Sequence, residues 1–240
     1  MALLLSPTAR IGVSRTPPAN ASHDSFAQIT RLQRLVSGTR RVILRHDPTL
    51  PRGTMLCFWQ IPRLAEYGFQ GPNALRVWYR DSTLTWDRFG GMRGLNRRFG
   101  AALEFLPEEP QVAMAINLRA FELYQQGLLA ITQARLDAGD SLLALVERIQ
   151  TPRTGKFLGT TVYNRARIAL MRADLAAADS IDRVAESIGL EPEDHWAFAA
   201  YLALRKGDRV AATQAARQLL AMAPEHPDAA PLAELLGLKR

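Results

Sequence analysis

From Val112 to the end of the chain, apolar residues recur every three or four positions, the period that gathers them on one face of a helix. The pattern breaks at Gly139-Asp140, Thr151 to Gly155, Ala173-Asp174, Gly189 to Pro192, Gly207-Asp208 and Pro224 to Pro227. Runs of roughly 12–15 residues between short breaks predict antiparallel helical hairpins, with Pro110 suited to the first helical turn.

The first hundred residues read differently. Residues 6–25 carry three prolines among Ser, Thr, Asn and Ala, which predicts an extended or mobile leader over 1–25. Asp24 or Ser25 suits the N-cap of a helix of about a dozen residues, with Phe26, Ile29, Leu32 and Leu35 on one face and Gly38 as its stop. Two β-rich runs follow, Arg41 to Arg45 and Met55 to Ile61, separated by the Pro- and Gly-containing stretch Asp47 to Gly53. Ala74 to Tyr79 is either a strand or the start of a helix, since Leu75, Val77 and Tyr79 alternate while Trp78 breaks the alternation. Residues 88–100 look like a Gly/Arg-rich loop, and Ala102 to Leu106 suits one more short strand. The expected organisation is a small α/β segment over 26–109, then helices over 110–240.

Three dipeptides in the helical half stand at a fixed interval of 34 residues: Gly139-Asp140, Ala173-Asp174 and Gly207-Asp208. Five residues beyond the first member of each comes an alanine, Ala144, Ala178 or Ala212. A period of this size is the signature of stacked helical hairpins. Aligned on that turn, the units are 125–158, 159–192 and 193–226, with 227–240 as a capping helix. The third unit resembles a tetratricopeptide repeat: Trp196 stands fourth, Ala200 eighth, Gly207-Asp208 at the turn, Ala212 twentieth and Pro224 thirty-second. The small residues let the two helices of a hairpin approach, Trp196 fills the wedge between hairpins, and Pro224 ends the second helix. Thr132 and Ala166 would fill the eighth position of the earlier units. Other positions depart from the family, with Ala203, Ala216 and Leu219 in place of its Tyr, Phe and late Ala, and Val162 in place of Trp in the second unit. The implied fold is mainly α, a solenoid of such hairpins behind a small α/β segment.

The resemblance implies a groove lined by the first helix of each unit. Carried over, it names Tyr163, Arg167, Leu170 and Met171 from the second unit, and Asp194, Tyr201, Leu204 and Arg205 from the third. Two tyrosines and two arginines at matching depths would suit an extended peptide carrying carboxylates; a solvated face is the plain alternative. The implied role is a non-enzymatic scaffold that binds a peptide or partner domain.

Residues 40–85, with Leu50-Pro-Arg-Gly53 before an apolar run and Ala74 to Asp81 after it, resemble the extracytoplasmic tail of polytopic glycosyltransferase-like membrane proteins. Such tails often lead into tetratricopeptide repeats. That resemblance implies a context at a bacterial inner membrane, leaving open the cytoplasmic or the periplasmic side. It would also explain the short apolar Met1 to Leu5 as the stump of a longer segment. No run of 18 apolar residues is present to span a bilayer.

Charge and candidate chemistry change this picture little. All of the net charge of +7 lies in residues 1–109, which hold 15 Lys+Arg and 8 Asp+Glu. Every basic residue there is arginine, as a nucleic-acid or anionic-lipid surface would require, or as a biased genome composition would produce. Arg93, Arg97 and Arg98, near Trp78, Tyr79 and Trp86, are the candidate anion-binding cluster, through phosphate contacts and stacking. Cys57 is the sole cysteine, so neither an intramolecular disulfide nor a cysteine metal cluster can form. Gly155-Lys156 lacks the upstream glycine of a phosphate loop, and the four histidines lack ligand-pair spacing. No cofactor, metal or catalytic residue is expected.

Overall fold

The computed structural model describes residues 26–59, 61, 68–89, 97–105, 113–151 and 153–238. The expected leader over 1–25 lies outside the described residues. The first half is built on a four-stranded mixed sheet of β1 (Met55–Trp59), β2 (Thr85–Arg88), β3 (Ala101–Phe105) and β4 (Ala113–Ile116), in the order β2-β1-β3-β4. β1 runs parallel to β2 and to β3, and β4 closes the edge antiparallel to β3. β1 is covered on both faces, which explains its unbroken apolar run.

On one face Leu56 and Phe58 meet α1 (Phe26–His46) and α2 (Asn73–Tyr79) through Leu35, Ile43 and Leu75. Phe58 packs 5.4 Å from Phe69 and from Phe105, and stacks on Trp86 at 4.9 Å. On the other face Cys57 and Trp59 meet the helical half: Trp59 lies edge-on to Phe121, Tyr124 and Phe157. The sheet is thus the shared floor of both halves.

Two expectations are corrected here, and one open alternative is decided. α1 does not stop at Gly38 but runs to His46, so Arg41 to Arg45 is helical rather than a strand. Leu35, Thr39 and Ile43 lie four apart and are all buried, and this stripe outweighs both the β-propensity of the run and the cost of a helical glycine, about 1 kcal/mol. Of the two alternatives for Ala74 to Tyr79 the helix holds: it is α2, ended by Arg80 in the left-handed region with φ 53°. The second correction is β4, which lies where helical spacing was expected to begin. The first helix of the helical half starts only after it, where the Asn117 side chain accepts the N–H of Arg119 and Ala120 at 3.0 and 3.2 Å. The sheet therefore continues past residue 109.

The remainder is helical: α3 (Leu118–Thr132), α4 (Leu136–Ile149), α5 (Lys156–Met171), α6 (Leu175–Ile188), α7 (Pro192–Arg205), α8 (Arg209–Met222) and α9 (Ala229–Leu236). With α1 and α2 that makes nine helices among the described residues, and the fold is mainly α with a small sheet. α3–α4, α5–α6 and α7–α8 are hairpins, each turned by one residue at positive φ: Ala134 (57°), Ala173 (61°) and Gly207 (78°). Asp174 and Asp208 follow two of these and cap the next helix by accepting the N–H of Ala177 and Ala211. That is the physical content of the Ala-Asp and Gly-Asp signature.

Gly139-Asp140 has no such role. It lies inside α4, and the first hairpin turns at Ala134-Arg135 instead. The turns therefore stand 39 and then 34 residues apart. The five extra residues come from a longer connection at 150–155 and from an α5 of 16 residues against 14 in α7. With turns superposed, Gly127 and Gly139 take the places of Ala166/Ala178 and Ala200/Ala212. A Cβ on Gly127 would meet Leu143 Cδ2 at 2.9 Å, and one on Gly139 would meet the Gly127 carbonyl oxygen at 3.4 Å. Thr132 is exposed and Ala144 only half-buried, so neither fills the close contact expected of it.

Candidate functional site

Superposing the three turns aligns the first helices of the hairpins row by row. Tyr124, Tyr163 and Ala197 share one depth, and Leu128, Arg167 and Tyr201 share the next, one helical turn closer to the hairpin turn. Tyr163 is nine-tenths buried; its ring lies edge-on to Phe198 at 5.7 Å and carries the Arg167 guanidinium at 5.9 Å. Arg167 is exposed and also donates to Asn164 Oδ1 at 3.4 Å.

α7 supplies the other wall. Pro192 opens it, and Glu193 and Asp194 occupy its first turn, where the helix dipole favours carboxylates. His226 Nδ1 accepts the backbone N–H of Asp228 at 3.2 Å, which leaves Nε2 as the donor to Asp194 Oδ1, also at 3.2 Å. Asp228 Oδ1 accepts the Tyr201 hydroxyl at 3.1 Å. Burial raises the Asp194 carboxyl above its ordinary range, His226 works against this, and Glu193 and Asp228 add to it as like charges. Burial likewise raises the phenols of Tyr124 and Tyr163; Arg167 lowers both and Asp194 raises both. Tyr201 is pushed up to about 12 by burial and by Asp228.

Of the residues expected in the groove, Tyr163, Arg167, Asp194 and Tyr201 come together in this cluster. Leu170 and Leu204 are half-buried and pack into the cores of their own hairpins. Met171 and Arg205 are exposed at the ends of α5 and α7. Tyr124, Asn164, His226 and Asp228 were not expected there. Tyr124 was legible in principle: Gly127 and Gly139 stand 12 apart, as do Ala166 and Ala178, and that alignment puts Tyr124 level with Tyr163.

The arginine cluster is only partly assembled. Arg93 lies outside the described residues. Arg97 is paired with Asp87, and its carbonyl accepts Gln125 Nε2 at 3.3 Å. Arg97 and exposed Arg98 line a cavity of about 440 Å³ together with Phe99, Phe121 and Gln125. The aromatics expected beside them are committed elsewhere: Trp86 stacks on Phe58 and donates to the Gly71 carbonyl at 2.6 Å, and Trp78 packs on Phe69.

Behind the tyrosine face, the buried side chain of Glu104 on β3 accepts the Phe157 N–H at 3.1 Å and so caps α5, whose own N-cap, Gly155, has no side chain. Burial pushes its pKa up to about 7, against the pull of the Phe157 and Lys156 N–H groups and the Lys156 charge. Lys156 itself is paired with Glu191, just before α7. Cys57 is fully buried, with its thiol pushed up to about 12 by burial. Among the described residues no group of three or more His, Cys, Asp or Glu could hold a metal ion, and no helix is long and apolar enough to cross a membrane. No family model matches the chain, and no curated protein or solved structure matches it.

Proposed function

We propose that the chain is a non-enzymatic interaction module of the tetratricopeptide type, which docks a peptide or partner domain along the groove formed by α3, α5 and α7. One observation carries this reading. Arg167, exposed, and Tyr201, half-buried, lie level on consecutive hairpins, above the buried rings of Tyr124 and Tyr163 one helical turn away. Aromatic rings bury a large area at little entropic cost, and arginine adds directional hydrogen bonds, the combination that dominates binding hot spots. The sheet would serve as the base that fixes the first hairpin.

The test is affinity capture from the native organism's lysate with membranes solubilised. A partner enriched by wild type should be lost with the double variant Tyr163→Ala/Tyr201→Ala. It should be kept by Arg209→Ala/Arg217→Ala on the exposed side of α8. Equal retention by both variants would overturn the groove assignment.

A further inference from the structure

We infer that α1 lays its outer side on a bilayer rich in anionic phospholipid, a surface separate from the groove. α1 carries five arginines and no acidic residue over its 21 positions. At about 100° per residue, Arg34, Arg41 and Arg45 fall within about 40° of one another and span about 16 Å of the axis. All three are exposed, as are Arg31 and Arg40 on the flanks of that stripe. The opposite side of the helix, with Leu35, Thr39 and Ile43, is buried.

Arg34, Arg40, Arg41 and Arg45 make no ion pair among the described residues. Asp47, just past the end of the helix, is in contact with His46. The helical half treats arginine differently. There Arg119 pairs with Glu122, Arg165 with Asp140 and Glu147, Arg172 with Asp137 and Asp140, and Arg183 with Asp179. A biased genome composition would supply arginine to both halves, but it does not explain why one helix lacks carboxylates altogether. Arg41 and Arg45 also stand one turn apart, where like charges oppose the helix, and an anionic surface replaces that repulsion with attraction.

The surroundings favour a membrane over a nucleic acid. α1 and α2 cover the face of the sheet turned away from the helical half, so their outer sides can meet a plane. A straight stripe brings its guanidinium groups to one depth on a plane, whereas a convex helix touches a convex duplex at few points. In the same layer Val77 on α2 is 73% exposed, and Arg80, just beyond α2, is a further exposed cation. An aliphatic side chain among arginines suits the boundary between headgroups and acyl chains. Base stacking would need free rings, but Trp78 packs on Phe69 and Trp86 on Phe58. The apolar stripe of α1 is already used in the core, so the helix would lie on the bilayer without entering it.

The experiment is sedimentation of the full chain with vesicles of phosphatidylcholine, alone or with about one third phosphatidylserine, over a salt series. Wild type should bind the phosphatidylserine vesicles, ignore phosphatidylcholine alone and lose binding as salt rises. Arg34→Gln/Arg41→Gln/Arg45→Gln should lower the partition coefficient by about a hundredfold. Arg148→Gln/Arg209→Gln/Arg217→Gln removes the same charge from exposed positions of α4 and α8, and should lower it by less than about threefold. Thermal midpoints establish that both variants are folded. No binding to the phosphatidylserine vesicles, or equal binding by wild type and the stripe variant, overturns the proposal. An equal loss in both triple variants overturns it as well, since net charge alone would then be at work. If a DNA duplex binds in place of the vesicles and the stripe variant abolishes that binding, the arginines belong to a nucleic-acid surface instead.

Discussion

Glu104 and Phe157 lie 53 positions apart, yet the carboxylate of one accepts the backbone N–H of the other at 3.1 Å. This single contact ties the third strand of the sheet to the first turn of α5 and makes the sheet part of the helical stack. Its energetics depend on pH. The folded-state pKa of about 7 lies above the ordinary 4.5, so the folded protein binds more protons than the unfolded chain between those values. Stability attached to this group is therefore greatest at low pH and declines as pH rises through the window. Glu104→Gln removes that decline. The free energy of unfolding of the variant relative to wild type should rise between pH 4.5 and pH 7 by on the order of 3 kcal/mol, read from denaturant titrations at each pH. A difference that is flat with pH would contradict the buried-carboxylate account.

Two glycines should respond to alanine in opposite directions. A Cβ on Gly159 would meet the Leu190 backbone nitrogen at 2.5 Å and the Gly189 carbonyl carbon at 2.8 Å, and backbone atoms cannot swing aside. Gly159→Ala should destabilise by about 2–4 kcal/mol, because α5 must move off the α6–α7 turn. Gly38 lies inside α1 with nothing within 4 Å of a Cβ, so Gly38→Ala should stabilise by about 0.5–1 kcal/mol. Urea midpoints of the two variants test both signs.

The register of the first hairpin is open to the same kind of test. If Gly139 is the close-contact residue, Gly139→Val should cost about 2–4 kcal/mol through overpacking against Ile131 and the Gly127 backbone. Thr132→Arg, at an exposed position, should change stability by less than about 0.5 kcal/mol. The 34-residue alignment demands the reverse order. Ala212 is fully buried in both alignments, and Ala212→Arg should destabilise by about 2–4 kcal/mol.

His195 and Asp182 join α7 to α6, with Nδ1 and Oδ2 2.8 Å apart. Asp182 is buried, and its other oxygen has no partner among the described residues, so His195 carries its compensation alone. The hydrogen bond to Asp182 is the main cause that raises the His195 pKa, opposed by burial and aided by Asp182 and Glu186 as charges. A raised histidine contributes stability that is complete below its unfolded pKa of about 6.5 and is lost as pH rises through the folded value. An NMR titration should place the His195 midpoint above 6.5 in wild type and lower in Asp182→Asn. An unchanged midpoint would remove Asp182 as its cause.

The chain by itself determined what short-range physics controls. Hairpin helices follow from apolar spacing, Asp174 and Asp208 are caps because an Asp after a left-handed residue finds free N–H groups, and Ala166/Ala178 and Ala200/Ala212 are buried because only small side chains fit there. Tyr163, Arg167, Asp194 and Tyr201 were named together by the resemblance to the tetratricopeptide repeat, while the helical period by itself puts only Tyr163 with Arg167, and Asp194 with Tyr201, on one side of their own helices. What tertiary structure alone decided was everything that depends on partners distant in the chain. Arg41 to Arg45 became helix because Leu35, Thr39 and Ile43 are buried together, and Ala113–Ile116 became a strand because β3 offered an open edge. The first repeat was misread because Gly-Asp in a sequence looks the same whether it turns the chain or lets two helices touch. Only the approach of Gly127 to Gly139 distinguishes the two. The contacts of the last turn were hidden most deeply, since His226 and Asp228 reach Asp194 and Tyr201 only when that turn folds back against α7.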